Sequence, residues 1–223
     1  MMGRRQPIFF ALLSALVFSF TGCATNQAPP DYGAYRSHMP RSVLVLPPTN
    51  DSIEVNASYV YLSTITRPLA EAGYYVFPVA VVDNYMKENG LPTPNEMSAV
   101  PLEKIRKVFG ADAVLYVHIE DWGQKYTVLA STTIVKARAK LVDVRTGAVL
   151  WEGTAQAAQG SGDGGGGLVG QMIAAVVDQV LQSTTDRAHV LSGMANHGMI
   201  LNTHNGLLLG PYNVDYATDA RGR

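Results

Sequence analysis

The sequence predicts an α/β domain in which βαβ units build the first part of a mixed sheet, an antiparallel meander builds the rest, and helices pack on it. Apolar, strand-like runs alternate with helical segments between residues 42 and 119. Residues 132–143 instead alternate strictly between apolar and polar side chains. The first pattern is typical of parallel strands joined by helices, and the second of a strand with one face in water.

The first βαβ unit begins with a strand at residues 42–46, whose continuous apolar character favours burial on both faces. A helix over residues 59–72, stopped by Gly73, leads to the next strand at residues 74–77. Pro68 lies inside this helix and is expected to kink or divide it. The two strands should lie parallel, because a helix joins them.

Two further helices lead to a central strand. The first covers residues 79–89, and residues 91–99 then form a loop that contains two prolines. The second helix is short, spans residues 102–109 and ends before a glycine. Residues 113–119 are almost wholly apolar, so we expect this strand to lie at the centre of the sheet.

The meander is predicted to contain strands at residues 125–131, 132–143 and 148–154. A tight turn at residues 145–147 joins the last two strands. The middle strand points its apolar side chains to one face and its basic side chains to the other. The basic face is expected to be exposed, and its residues are Lys136, Arg138 and Lys140.

A glycine tract at residues 160–167 precedes an amphipathic helix at residues 168–182. The tract lacks the Gly-Lys-Ser/Thr ending of a phosphate loop, so we interpret it as a hinge that lets the helix pack on the domain or on a second copy. The helix is too short and too polar to span a bilayer. The predicted interface residues are Leu168, Val169, Met172, Ile173, Val176, Val177, Val180 and Leu181.

The first residues predict export and lipidation at Cys23. Arg4 and Arg5 precede a 13-residue apolar segment at residues 8–20, and small residues then lead to the cysteine. This layout resembles the lipobox of bacterial lipoproteins, in which the cysteine sulfur receives a diacylglycerol and the new amine is acylated. The residues after Cys23 lack the aspartate that retains many such proteins at the inner membrane, which implies the outer membrane. A plain signal peptide or an uncleaved anchor stays open as an alternative.

Four regions follow from these features. Residues 1–22 form a lipoprotein signal peptide, and residues 23–40 form a flexible tether that lifts the domain off the bilayer. Residues 41–187 form a single α/β domain that includes the glycine tract and the amphipathic helix. Residues 188–223 are rich in Gly, Asn and His, and are expected to be an irregular tail.

Composition narrows the range of functions. The formal net charge is −1, and it becomes −3 once Arg4 and Arg5 are removed with the signal, so nucleic acid is not an expected partner. Cys23 is the only cysteine, which excludes disulfides and cysteine metal sites once it is acylated. Charged residues make up only 16% of the chain, and a large buried interface is one explanation of this low fraction. We therefore expect a homo-oligomer without a cofactor.

No catalytic or metal-binding set is predicted. His118 lies in an apolar strand and is expected to be a core histidine, and the neighbouring Glu120 and Asp121 should face opposite ways. The remaining histidines of the C-terminal region are too far apart in sequence to favour a shared metal ion. These are His189, His197 and His204.

Four segments together resemble a family of outer-membrane lipoproteins of unknown function that is known best from a meningococcal surface lipoprotein. These segments are residues 42–50, 68–76, 109–113 and 141–153. The order of elements is more distantly similar to the N-terminal domain of TolB, to the curli secretion lipoprotein CsgG and to the peptidoglycan-synthase activator LpoB. The resemblance implies a domain used for protein contacts in the periplasm, often as an oligomer, and no enzyme activity. The long hairpins of the curli pore have no counterpart here.

Three functions are compatible with the sequence. The first is a lipid-anchored interaction protein on the periplasmic side of the outer membrane, supporting an envelope assembly or transport and secretion system. Exposure on the cell surface stays open. The second is a module that binds peptidoglycan or a peptidoglycan synthase through the basic face. The third is a hydrolase that uses His118 and Glu120.

Overall fold

The computed structural model describes residues 31–126, 131–160 and 184–219. The helices are α1 Gly33–His38, α2 Ala57–Glu71, α3 Val79–Glu88, α4 Pro94–Ser98, α5 Leu102–Phe109 and α6 Thr184–Ile200. The strands are β1 Ser42–Val45, β2 Thr49–Asn50, β3 Tyr75–Val76, β4 Ala113–Tyr126, β5 Ser131–Asp143 and β6 Val149–Gly160. A short 3₁₀ helix, Tyr216–Thr218, follows near the C-terminus.

The described strands form one mixed six-stranded sheet in the order β3-β1-β4-β5-β6. β1 pairs in parallel with both β3 and β4. β2 also pairs in parallel with β4, at residues that follow the part of β4 paired with β1. β4, β5 and β6 are antiparallel. The predicted fold class, βαβ units followed by an antiparallel meander, is therefore confirmed.

β4 is longer than the sequence predicted. It continues past residue 119 to Tyr126. Residues 125 and 126, which were predicted to begin a separate strand, are therefore the last two residues of β4. The register with β5 shifts between Ile119 and Asp121, which leaves Glu120 as the extra residue of a bulge. This bulge explains why simple alternation fails at the polar end of the strand.

One face of the sheet is covered by α2 and α6. Alanines on the sheet let α6 approach closely, and Ala137, Ala139 and Ala155 are all buried beneath it or beside it. Trp151 is also buried and donates its indole N–H to the carbonyl of Asn205 at 3.2 Å. This face contains the larger of the two apolar clusters.

The other face is covered only in part. α3, α4 and α5 pack over β1 and the beginning of β4, where they bury Leu44, Leu46 and Val114. On β1, Val43 and Val45 belong instead to the opposite cluster, as expected of a strand buried on both faces. β5, β6 and the rest of β4 have no helix over them on this face among the described residues.

Pro68 does not divide α2, which was one of the two outcomes predicted for it. The helix runs unbroken from Ala57 to Glu71 with the proline in its last turn. Only three residues of the helix follow the proline, so its missing N–H and the clash of its ring with the preceding turn affect only the end of the helix. Leu69 and Ala72 therefore still reach the core.

The predicted irregular tail at residues 188–223 is wrong for its first part, because α6 extends through Ile200. Its buried side chains recur every three or four residues: Ala188, Leu191, Ser192, Ala195, Asn196, Met199 and Ile200. Two of these are polar, and Gly193 and Gly198 lower the helix propensity. Because of both features, the row of buried residues is not recognisable as an apolar helix face in the sequence. Small and polar side chains nevertheless suit a helix that packs closely against alanines.

The predicted tether at residues 23–40 is too long at its C-terminal end. α1 lies within it, and Tyr32 and Tyr35 are almost completely buried. The Tyr32 hydroxyl donates to the carbonyl of Gly206 at 2.5 Å, and the hydroxyls of Tyr35 and Tyr74 hydrogen-bond each other. Aromatic rings that also satisfy their hydroxyls hold this segment to the domain.

Candidate functional site

The uncovered part of the sheet carries three rows of polar side chains that run across the strands. The first row joins Tyr116, Lys140 and Glu152; the second joins His118, Arg138 and Thr154; and the third joins Lys136 and Gln156. We call these residues, together with Glu120, the open face. They line much of a cleft with a volume of about 1210 Å³.

The open face is a mixed-charge surface rather than a basic one. Glu120 accepts from Lys136 at 2.9 Å between Nζ and Oε2, and also pairs with the Arg138 guanidinium. Lys140 lies 3.3 Å from Glu152. The hydrogen bond from Lys136, together with the nearby charge of Arg138, lowers the pKa of the Glu120 carboxyl. The basic face predicted from Lys136, Arg138 and Lys140 is therefore corrected, since each cation has an acidic partner.

His118 is not the core histidine that the sequence predicted. Its side chain is 42% exposed and joins two polar residues of the chain around β2. Nδ1 lies 2.9 Å from the Thr49 hydroxyl, and Nε2 lies 3.0 Å from the Asp51 carboxylate. The reason is that none of the helices in the described residues covers β4 at this point, so a side chain in an apolar run can still reach water.

A hydroxyl, an imidazole and a carboxylate in line are also the parts of a hydrolase triad. Thr49 and His118 come together here because they are register partners in the pairing of β2 with β4. The Thr49 hydroxyl also lies 3.4 Å from the carbonyl of Val117. These contacts hold β2 against the sheet.

The cleft continues around the edge of β6 to the exposed side of α6. There its lining changes to smaller and less charged side chains: Met194, Gly198, Asn202 and Asn205. β6 has a pairing partner on one side only among the described strands, and its residues from Gly153 to Gly160 carry no charge. The cleft therefore offers charged groups on one wall and strand backbone at its edge.

A second, smaller cavity of about 550 Å³ lies between α3, α4 and α5. Its walls are mainly apolar and include Tyr85, Leu91, Val108 and Phe109. The ring of Phe109 meets those of Phe77 and Tyr85 edge to face, at centroid distances of 6.5 and 5.3 Å. Its charged lining residues are Glu96 and Lys104.

The structure does not bring the histidines of the C-terminal region together. His197 lies 3.7 Å from the Glu71 carboxylate, whereas His204 is fixed through its backbone N–H to Asn202. Within the described ranges, no group of three or more His, Cys, Asp or Glu side chains is placed to hold a metal ion. His189 is exposed on α6.

Two predicted sites lie outside the described residues. They are the lipidation site Cys23 and the interface helix of residues 168–182, with all eight of its apolar residues. Across the parts of the chain that the structure describes, every helix falls short of the length and apolarity that a membrane crossing needs.

Sequence reasoning missed Thr49, Asp51 and Glu152. A partial signal for Glu152 was present, because the tight turn at residues 145–147 pairs β5 with β6. A register shift between Leu141 and Val142 then decides that Glu152, rather than Trp151, lies opposite Lys140. No comparable signal existed for Thr49 and Asp51, since their contact with His118 depends on a parallel pairing between distant segments.

Comparison with known proteins agrees with the resemblance predicted from the sequence. Residues 30–212 match the family described as "Putative lipoprotein GNA1162-like". The chain is 41% identical over 212 residues to "Putative lipoprotein NMB1124/NMB1162" of Neisseria meningitidis serogroup B, with 94% of this chain and 98% of that protein covered.

Solved structures give the same result. The crystal structure of lipoprotein GNA1162 from Neisseria meningitidis is similar with a TM-score of 0.54 and 46% identity, covering 63% of this chain and 97% of that one. The C-terminal domain of LpoB from Escherichia coli aligns with a TM-score of 0.36 and 22% identity, over 53% of this chain and 84% of that one, a likeness too low to support an argument. By its sequence and its match across residues 30–212, the chain belongs to the GNA1162-like lipoprotein family.

Proposed function

We propose that this protein is a lipid-anchored interaction protein on the periplasmic side of the outer membrane, where it supports an envelope assembly or secretion system. Cys23 would carry the acyl chains, and the α/β domain would bind a partner in the envelope. The proposal assigns the protein no enzyme activity of its own. It includes self-association through the apolar face of residues 168–181.

The observation that carries this proposal is the open face. Half of one sheet face has no covering helix among the described residues, and the cleft of about 1210 Å³ along it is lined by paired charges. Charge pairs that are already formed in the free protein give a surface its specificity, since a partner must match both signs. Such a surface fits a folded or extended protein better than a small apolar ligand.

Photo-crosslinking in cells tests the partner surface. A crosslinking amino acid at Gln156 lies on the open face, and a matched one at Asn84 lies on the exposed side of α3. The proposal expects a discrete adduct with an envelope protein from position 156 and none from position 84. Equal capture from both positions would remove the open face as the binding surface.

The anchor and the self-association need separate tests. Cys23→Ser should release the protein from the membrane fraction, because acyl chains contribute about 0.8 kcal/mol for each buried methylene. Sedimentation of the mature Cys23→Ser chain should show an oligomer that Val176→Asp with Val177→Asp dissociates. A strict monomer, unchanged by those substitutions, would count against the predicted helix interface.

A peptidoglycan-binding module is the second candidate, and one observation favours it. The rows of the open face combine cations and carboxylates with the Thr154 hydroxyl and the Gln156 amide, a mixture that matches a glycan carrying short peptides. Retention on purified sacculi should then fall for Arg138→Gln and stay unchanged for Lys125→Gln. No retention of the wild-type chain would reject direct wall binding.

The absence of enzyme activity is also open to test. The line formed by Thr49, His118 and Asp51 is the arrangement most suited to catalysis among the described residues. A screen with ester and amide substrates should show no turnover that depends on it. Hydrolysis by the wild-type chain that is abolished in His118→Ala would overturn this part of the proposal.

A further inference from the structure

The chain enters the folded domain at the end of the sheet where β1, β3 and β4 begin. The N–H of Tyr75 donates to the carbonyl of Arg41 at 3.0 Å, and the N–H of Arg41 donates to the Asp112 carboxylate at 3.0 Å. The His38 imidazole hydrogen-bonds the Thr146 hydroxyl at 3.1 Å. We call this surface the tether end and define it as residues 31–41, 75, 112 and 144–149.

Cations project from the tether end. Arg36 in α1 and Arg41 before β1 are both exposed, and neither has an ion pair among the described residues. Arg145 in the turn between β5 and β6 is exposed as well and pairs with Asp143. Asp31 is an exposed carboxylate on the same surface.

Two further carboxylates, Asp112 within this surface and Asp143 beside it, are held by hydrogen bonds from neighbouring groups. Asp143 is fully buried and accepts from the N–H groups of Arg145 and Thr146. Asp112 accepts from two backbone N–H groups and from the Ser42 hydroxyl. The tether end therefore has a formal charge of +1, from three arginines against Asp31 and Asp112, although the whole mature chain carries a formal charge of −3.

α5 adds to this charge. Its first residue, Leu102, lies beside Gly147 in the turn, and its C-cap Gly110 leads directly to Asp112, so both ends of the helix adjoin the tether end. Arg106 and Lys107 are exposed in its last turn, while its single acid is Glu103.

Large apolar side chains are exposed among these cations. Met39, Tyr75 and Val149 are 49%, 51% and 43% exposed. Met39 also has a left-handed backbone conformation, with φ of 43°, which residues other than Gly, Asn and Asp seldom adopt. Apolar side chains between cations are the composition of surfaces that lie at the boundary between lipid headgroups and acyl chains.

The length of chain before the domain limits how far the tether end can lie from the membrane. Eight residue steps separate Cys23 from Asp31, and a fully extended chain of that length spans at most about 29 Å. A domain of this size is roughly 40 Å across. An acylated Cys23 therefore keeps the start of the domain within about 29 Å of the bilayer, which is less than the width of the domain itself.

We propose that the tether end is a membrane-docking surface that binds anionic phospholipid headgroups beside the lipid anchor. This inference rests on the lipid anchor of the proposed function. Arg36, Arg41, Arg106 and Lys107 would contact the headgroups, and Met39 and Tyr75 would enter the headgroup region. Docking would orient the domain so that the open face stands at the side of the molecule, accessible to a partner in the periplasm.

Vesicle co-sedimentation tests this surface without the acyl chains. The mature chain, residues 23–223 with Cys23→Ser, is mixed with phosphatidylcholine vesicles and with mixed phosphatidylcholine–phosphatidylglycerol vesicles. Binding is expected only to the mixed vesicles and should be lost at high salt. Arg36→Gln with Arg41→Gln should weaken it roughly 25-fold, since each cation near an anionic surface contributes about fivefold in affinity.

The matched control is Lys125→Gln with Lys136→Gln, which removes the same charge from the far half of β4 and β5. This pair should bind like the unsubstituted chain. No binding to mixed vesicles, equal binding to both vesicles, or equal loss in both double variants would overturn the inference. Mass spectrometry of the wild-type protein from membranes tests acylation of Cys23 separately, so a failure of the anchor is distinguishable from a failure of the docking surface.

Discussion

Gly153 occupies a position in β6 where the structure leaves no room for a side chain. A Cβ atom there would overlap the ring of Trp151 and would lie 2.9 Å from Cγ of Met199. Gly153→Val should therefore destabilise the domain by about 1–3 kcal/mol, because a closely packed core accommodates added atoms only by shifting its neighbours. Urea unfolding followed by tryptophan fluorescence measures this change.

Gly193 in α6 provides the control. A Cβ atom at that position meets nothing within 4 Å, and the residue lies inside a helix. Gly193→Ala should stabilise the domain by roughly 0.5–1 kcal/mol, because alanine loses less backbone freedom on folding. If both substitutions changed stability in the same direction and by the same amount, steric crowding at Gly153 would not be the cause.

Asp143 holds the turn between β5 and β6. Burial acts to raise the pKa of this carboxyl, but hydrogen bonds from the backbone and hydroxyl of Thr146 and from the N–H of Arg145 outweigh it and lower the pKa. A lowered pKa means that the ionised form stabilises the fold above the unfolded-state pKa of about 3.9, and that this stabilisation is lost as pH falls through the lower folded-state value.

Asp143→Asn should accordingly cost about 1–3 kcal/mol at neutral pH. The difference from the wild type should be constant above about pH 5 and should shrink as pH falls below about 4. Thermal unfolding across this range provides the measurement. A difference that stayed the same down to the most acidic pH would show that the charge of Asp143 is not what stabilises the turn.

At the scale of elements, α2 and α6 are joined by a buried polar cluster centred on Thr64. Its hydroxyl donates to the carbonyl of Tyr61 at 2.8 Å, lies 2.7 Å from the Ser192 hydroxyl and accepts from the Asn196 amide at 2.9 Å. Thr64→Val keeps the shape but leaves two donors on α6 without their acceptor. It should cost about 1–3 kcal/mol, as expected for buried polar groups left unpaired.

Ser192→Ala is the comparison for this cluster. It removes one hydroxyl and leaves the bonds of Thr64 to Tyr61 and Asn196 intact, so its cost should be smaller than that of Thr64→Val. A double-mutant cycle between the two positions should give a coupling of roughly 0.5–3 kcal/mol. Additive effects would indicate that the two helices pack independently of this hydrogen bond.

The elements differ in how far sequence could predict them. The parallel strands were predictable, because Val43–Val45 and the buried half of β4 are apolar on both faces and glycines end the intervening helices. α6 was not, because Ser192 and Asn196 interrupt its apolar stripe and find their partners on a helix more than a hundred residues away. Local patterns do not contain such distant pairs.

The open face was predictable only in part, because some of its contacts also join distant segments of the chain. Strict alternation in β5 placed Lys136, Arg138 and Lys140 on one exposed face, which the structure confirms. The acidic partners depend on neighbouring strands: Glu120 lies at a bulge that alternation does not foresee, and Glu152 depends on the hairpin register. The direction of the side chains was therefore predictable from one strand, whereas the charge balance was not.

At the scale of the whole molecule, the two described ends of the chain close over the same part of the sheet. Tyr32 near the N-terminal end donates to Gly206 near the C-terminal end, and the Tyr74 hydroxyl between them donates to Leu208 at 2.6 Å. The N–H of Gly210 then bonds to the carbonyl of Ala72 at 2.7 Å. The domain consequently begins before residue 41 and continues past residue 187, beyond both predicted boundaries.

A chain truncated after Ile200 tests this closure. It loses the buried Leu207 and Leu208, each of which contributes about 1.5–3 kcal/mol when fully buried, and it also uncovers Tyr74 and Trp151. The total is comparable with the whole stability of an ordinary domain, so the melting temperature should fall by roughly 10 °C or more. Removal of only the last four residues, after Asp219, keeps the bond from the Leu209 N–H to Asp219 and should leave the melting temperature unchanged. Equal melting temperatures for both truncations would mean that the segment after α6 is a dispensable tail, as its composition alone suggests.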